Sequence, residues 1–201
     1  MSLLEIVTLK KRYMSTIRSS VRVFAVLSLV VSLTSCFKEK YYKFNDRELE
    51  FLAYQEGQVL KFSDTSNVVN ELVQVDYSRD FFQMSGWFGT SYQESFEVSY
   101  SPIGNGELML NIDLKTEEGS FGGGFFMKIN DYHVYANPNT VKPFAGTMLI
   151  NGLRYDHVYS LRAYRVVPEY ARKDSATAYY NKTHGLIQLL LPNGKSINRV
   201  D

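Results

Sequence analysis

The chain holds one cysteine, Cys36, and three histidines, His133, His157 and His184, so side chains able to ligate a metal or attack a substrate are few. No two histidines stand in an H-x-H or H-E-x-x-H spacing, the patterns that bring two imidazoles to one side of a strand or helix. Asp131 precedes His133 by two residues and Asp156 adjoins His157; both spacings are as usual for surface histidines as for ligands, and no metal site is expected. Asp174, Ser175 and His184 are the residue types of a hydrolytic triad, but no G-x-S-x-G turn presents the serine, and closeness in the chain is not geometry. Glu117 and Glu118 are adjacent carboxylates in K-T-E-E-G-S. Glycoside hydrolysis needs two carboxyls across a cleft, whereas this pair reads as a solvated loop. Residues 120–126, S-F-G-G-G-F-F, carry three glycines. A phosphate cradle needs a helix start after such a loop, and a hairpin arm or bulged strand start suits this one better. No catalytic residue is assigned. The aromatic stretch F-F-Q-M-S-G-W-F-G-T-S-Y, 81–92, includes the only tryptophan. Trp87, Phe88 and Tyr92 form a candidate exposed patch able to stack on a sugar ring or a partner; the same residues could instead close one end of a core.

The placement of Cys36 is more telling. Arg18 and Arg22 precede an apolar run from 23 to 33, and Leu33-Thr34-Ser35 leads into the cysteine. A basic start, a short apolar middle and small residues before a cut mark a secretory signal, and eleven residues fall short of the roughly 20 needed to cross a bilayer. The four residues Leu33-Thr34-Ser35-Cys36 resemble the lipobox of bacterial lipoproteins. The resemblance implies cleavage between Ser35 and Cys36, a thioether-linked diacylglycerol on Cys36 and an acyl group on its new amino terminus, with no other cofactor. Acylation would also explain a lone cysteine without a disulfide partner, since an exported free thiol is reactive. Two or more chains at roughly 0.8 kcal/mol per buried methylene make a stable anchor. Met14 starts a signal of ordinary length and is the favoured true start. Phe37, rather than Asp, after the cysteine points to the outer membrane; the single acid Glu39 between Lys38 and Lys40 leaves the periplasmic or cell-surface face open.

The organisation expected is therefore a signal over 1–35, a lipidated cysteine and short tether over 36–45, and one domain over 46–201. From Cys36 onward 17 Lys and Arg stand against 20 acids, a weakly acidic balance without the clustered basic patch that nucleic-acid binding needs.

Period-two alternation runs through this domain. Phe96, Val98 and Tyr100 alternate with polar residues, as do Leu108, Leu110, Ile112 and Leu114, and Val69, Val73, Val75 and Tyr77 share a phase. Ile187, Leu189 and Leu191 can line one face, while either His157 follows Tyr155 inward or a bulge at Asp156-His157 turns Val158 inward. Asn-Gly turns at Asn105-Gly106, Asn151-Gly152 and Asn193-Gly194 suit tight hairpins. The fold expected is all-β and antiparallel with roughly ten strands, a β-sandwich first and a strongly curved half-barrel as the alternative. Residues 167–175 are the one helical candidate.

The stretches N-G-L-R-Y-D-H-V-Y-S-L and A-T-A-Y-Y-N-K-T-H-G-L-I-Q-L-L-L-P-N-G-K-S-I-N-R-V resemble the closing part of small Bacteroidota-type envelope lipoproteins. The matching positions are Gly152, Tyr155, Val158, Tyr179, Tyr180, Lys182, Gly185, Leu186, Gly194 and Lys195, with Ile197 near the place of an aromatic. This implies an envelope β domain and carries over no catalytic residues. Asp174-Ser175-Ala176 resembles the O-glycosylation signal of the same bacteria, with Ser175 as the acceptor. The expected role is a non-catalytic binding or envelope-assembly module, held to the membrane by its lipid, with a glycan or an envelope protein as partner. The alternatives are a periplasmic carrier of an apolar ligand or lipid, and an envelope hydrolase acting on glycan or peptide.

Overall fold

The computed structural model describes residues 39–86, 89–104, 106–116, 124–144, 146–165 and 175–200. Cys36, Ser35, Trp87, Phe88, Glu117, Glu118, Asp174 and the Gly-rich run up to Gly123 lie outside them, as does nearly all of the helical candidate 167–175. The chain forms two compact units: residues 41–83 with 92–201, and the tip of one hairpin, 84–91, together with the chain up to Lys40.

The described strands are β1 (Lys40–Tyr42), β2 (Val59–Ser63), β3 (Val69–Gly86), β4 (Gly89–Pro102), β5 (Leu110–Lys115), β6 (Gly124–Ile129), β7 (Tyr132–Ala136), β8 (Met148–Ile150), β9 (Leu153–Tyr155), β10 (Val158–Arg165), β11 (Ser175–Asn181), β12 (Gly185–Leu190) and β13 (Ser196–Arg199). One sheet runs β1-β4-β3-β2-β13-β12-β11-β10-β7-β6-β5, and β4 pairs with β5 to close it. The result is an antiparallel barrel of ten strands. All-β is thus observed, but neither two packed sheets nor an open half-barrel. Alternation fixes which face of a strand is buried, not whether the sheet meets a second sheet or itself. Closure depends on β4, whose later half pairs with β5 from Ser95↔Lys115 to Tyr100↔Leu110, and on the terminal β13 pairing with β2.

The inward positions follow the pleat. Phe96, Val98, Tyr100, Leu110, Ile112, Leu114, Phe125, Met127 and Ile129 are buried. Where β3 pairs with β2 the phase is opposite to the valine pattern: Leu72 is buried opposite Leu60, whereas Val69 and Val75 are more than half exposed; Tyr77, of the valine phase, does pack against the core, edge-on to Phe96 at 5.6 Å. Glu71 decides it, because Lys61 faces it across the pair and bridges to it at 2.7 Å on the wet side. β12 also departs from simple alternation. Tyr180 pairs with Leu186 and Tyr179 with Gln188, so Ile187 is an extra residue. This bulge turns Ile187 into a small second core with Ile150, Tyr155 and Val158 under the β8–β9 hairpin. His157 has φ +53 and is exposed while Val158 is buried, so the turn at 156–157 does bring Val158 inward. Asn151 and Gly152, at φ +48 and +79, build the β8–β9 turn in the left-handed conformation these two residues tolerate.

A short segment fills the inside. Asn45 caps helix α1 (Asp46–Leu49), accepting from the Arg47 and Glu48 amides while Glu48 reaches back to the Asn45 amide. This capping box was legible as N-x-x-E, yet the helix was not expected. Beyond it Phe51 is fully buried, its ring 4.8 Å from Phe125, 4.8 Å from Tyr159 and 5.4 Å from Tyr180. Tyr180 donates its hydroxyl to the Phe51 carbonyl at 2.7 Å, and Leu186 N–H donates to the Tyr54 hydroxyl at 2.7 Å. Tyr159 is hydrogen-bonded to Glu50.

The barrel wall is polar outside. Lys61, Glu71, Glu97, Asp113 and Arg162 occupy outward or edge positions. In lipid such charges cost about 2–4 kcal/mol each for Lys or Arg at mid-depth and somewhat less for Asp or Glu. β5 and β6 have six residues each, fewer than the 9–11 or so a spanning strand needs. An outer face carrying these charges is suited to water. No described helix is long and apolar enough to cross a membrane.

Candidate functional site

The registers place two rims at opposite ends of the barrel. At one, called the near rim, lie Tyr41, Tyr92, Lys115, Gly124 and Val158; at the other, the far rim, lie Leu110, Asn130, Arg165, Ser175 and Ser196. β5 separates them by about 20 Å at roughly 3.4 Å per residue.

The near rim carries the aromatic residues. Tyr41 stacks on Tyr92 with ring centres 4.7 Å apart and meets Phe81 edge-on at 5.7 Å. Phe82 lies 6.0 Å from the Lys115 ammonium. Beneath them Arg79 Nε bonds Glu94 Oε1 at 2.9 Å, and the other carboxylate oxygen accepts from Phe44 N–H at 2.8 Å. Glu94 of β4 thus ties down the segment that follows β1 and holds Arg79 of β3 by two charge-assisted hydrogen bonds. Of the three residues expected in an aromatic patch, Tyr92 is half-buried in this stack; Trp87 and Phe88 lie outside the described residues. Phe81 and Phe82 come from the same aromatic stretch, 81–92, whereas Tyr41 is a member that the stretch does not include.

The far rim holds a hollow of about 350 Å³ lined by Glu107, Met109, Asn111, Lys128, Asn130 and Asp131. A second of similar size adjoins it, sharing Glu107 and Asn130 and reaching Asp64, Asn70 and Ile197. Asn130 forms their common wall. Its φ of +49 turns the β6–β7 hairpin, its side-chain oxygen accepts from Met109 N–H at 2.7 Å, and its own N–H donates to the Met109 carbonyl at 3.1 Å. The hollow is therefore braced by a residue that still offers its carboxamide NH₂. Among the described residues, Glu107, Asn111 and Lys128 make no side-chain hydrogen bond or ion pair. Asp131 lies 3.5 Å from Arg165. By contrast the Asp64 carboxylate is committed to the Ser66 and Val68 amides at 2.8 and 2.9 Å. A carboxylate, an ammonium and two carboxamides thus face one space with spare donors and acceptors. In the sequence Glu107, Met109 and Asn111 mark only the wet side of a strand, and Lys128 and Asn130 carry no signal of a site.

The histidines are dispersed. His133 pairs in register with Lys128 and Tyr164. Its pKa is lowered, first by burial and then by the Lys128 charge, against the opposing pull of Asp131. His157 is exposed in its turn. His184 contacts Asn181 Oδ1 through Nδ1 at 3.1 Å and meets Tyr155 edge-on. No group of three or more His, Cys, Asp or Glu that could hold a metal occurs among the described residues. Ser175 is exposed at the far rim, paired with Tyr164, whereas His184 follows Asn181 at the near rim. The length of β11, about 20 Å at roughly 3.4 Å per residue, keeps them apart, so no triad assembles.

The strongest perturbations of acidity belong to the interior. Burial foremost raises the pKa of Tyr54, Tyr159 and Tyr180 and pushes Tyr100 up to about 12. These hydroxyls brace the inner segment and the barrel wall; they do not open onto either hollow. No protein-family model, curated protein or solved structure matches the chain.

Proposed function

We propose that this chain is an outer-membrane lipoprotein, anchored through acylated Cys36, that serves as a non-catalytic binding module and recognises a hydroxyl-rich ligand, a glycan, at its far rim. The observation that carries the reading is the set of polar groups around one braced hollow that are without partners among the described residues: the side chains of Glu107, Asn111 and Lys128, with the carboxamide NH₂ of Asn130 beside them. Such groups can pair with several sugar hydroxyls at once, and exposed Met109 offers an apolar edge for a ring face. Lipobox and closing motif support the anchor and the envelope location; the charged outer wall suits a barrel held beside a bilayer. Ser175, exposed at the same rim, is accessible to an O-glycan.

The carrier reading is weakened by Phe51, which occupies the interior against three wall rings. The hydrolase reading is weakened by β11, which holds Ser175 at the far rim and His184 beyond Asn181 at the near rim. The test is a screen of envelope glycans against the full chain, read by NMR at His133, which sits beside Lys128. A binding glycan should shift His133, and the double variant Asn111→Ala with Lys128→Ala should lose at least tenfold in affinity. Binding that survives the double variant, or no glycan binding at all, overturns the assignment of the hollow.

A further inference from the structure

We propose that the near rim docks onto the bilayer that holds Cys36, seating Tyr41, Phe81, Phe82 and Tyr92 at headgroup depth and pointing the far-rim hollow away from the membrane. The inference rests on the lipid anchor proposed above and adds the orientation of the barrel on it.

Chain length makes the argument. Tyr41 is the fifth residue after Cys36, so even a fully extended connection reaches only about 18 Å at roughly 3.3–3.6 Å per residue. Tyr41 is already fixed in the ring stack with Tyr92 and Phe81. An acylated Cys36 therefore holds this cluster within reach of the bilayer surface, while a hollow about 20 Å farther along β5 at roughly 3.4 Å per residue stays clear of it. The exposed residues are of the right kind. Tyr41 is 56% exposed and Phe82 37% exposed; a Tyr ring, apolar in body and polar at its tip, favours the membrane–water interface. Charge adds little. Lys38, Lys40, Lys43 and Lys115 stand against Glu39, Asp80 and Asp113, the last bridged to Lys115 at 3.0 Å, which leaves a net charge of only +1 in this set. Docking should accordingly depend weakly on salt.

The acylated thiol makes the test clean, because an introduced cysteine is then the only reactive one. Full-length protein carrying Phe82→Cys or Lys115→Cys at the near rim, or Met109→Cys at the far rim, is labelled with a fluorophore. Each is reconstituted in phosphatidylethanolamine–phosphatidylglycerol vesicles containing lipids nitroxide-labelled at a shallow acyl position. Quenching at 82 and 115 should exceed that at 109 at least threefold and persist in 0.5 M salt. Two near-rim positions guard against one variant failing to fold. Equal quenching at both rims, with the wild-type chain refusing a maleimide after denaturation, overturns the orientation and leaves the anchor standing. Wild-type chain that takes the maleimide has a free Cys36, which overturns the anchor and the docking together.

Discussion

Replacing Phe51 by Ala tests whether the segment between β1 and β2 is a structural part of the barrel. The ring is fully buried, with Phe125, Tyr159 and Tyr180 all within 5.4 Å of its centre. Truncating a buried Phe costs about 3–5 kcal/mol from lost transfer energy and the cavity left behind. Aromatic pairs contribute roughly 0.5–1.5 kcal/mol beyond area burial, so three neighbours place this site at the upper end. With a urea m-value of roughly 2 kcal/mol per molar, the unfolding midpoint should fall by about 2 M. Leu49→Ala, in the same segment but with its side chain 40% exposed, should stay within about 0.5 kcal/mol of wild type. Equilibrium urea unfolding followed by far-UV circular dichroism checks both. A Phe51→Ala cost below about 1 kcal/mol, or one equal to that of Leu49→Ala, would refute the reasoning that this ring fills the interior.

Other outcomes follow from the same contacts. Gly185→Ala should destabilise by more than about 2 kcal/mol, because φ is +75 and a Cβ would lie 2.3 Å from the Tyr54 ring; Gly194→Ala, at φ +79 with open space around it, should cost only about 1–2 kcal/mol, and thermal melts of the pair decide. Glu94→Ala leaves the Phe44 amide and Arg79 without their acceptor and should cost about 2–3 kcal/mol, seen in urea and as faster hydrogen exchange at Phe44. The buried tyrosines have folded pKa values above the unfolded one, so their contribution is complete below about pH 10 and is lost as pH rises further. Stability should decline above about pH 10, with Tyr100 ionising only near 12, as ultraviolet difference titration would record. His133 should titrate below its usual value of 6.5, and Lys128→Ala should raise it; an unchanged NMR titration would contradict the Lys128 contribution.

Local patterns proved a good guide where two neighbouring strands imposed the same phase. The alternations of 96–100 and 108–114 are buried as written, because each faces the other across β4 and β5. In β3 the valine phase meets the core at Tyr77, but opposite β2 the inner face belongs to Leu72, because cross-strand partners rather than residue counts choose it. The bulge at Ile187 was hidden for a similar reason: its signal lies in the offset between β11 and β12, which no single strand records. Barrel closure depends on pairing residues far apart in the chain, β13 with β2 and β4 with β5. The far-rim hollow was likewise assembled from positions that looked merely solvent-facing, Glu107, Asn111 and Lys128, brought together by the Asn130 turn. Only that turn left a local trace, an Asn-Asp pair between two alternating runs.

The most direct measurement is the mass of the chain's mature amino-terminal peptide, isolated from membranes. The account predicts a peptide that begins at Cys36 and carries a diacylglycerol on sulfur and an acyl group on nitrogen. An unmodified Cys36 thiol, or a mature chain still retaining Ser35, would contradict it.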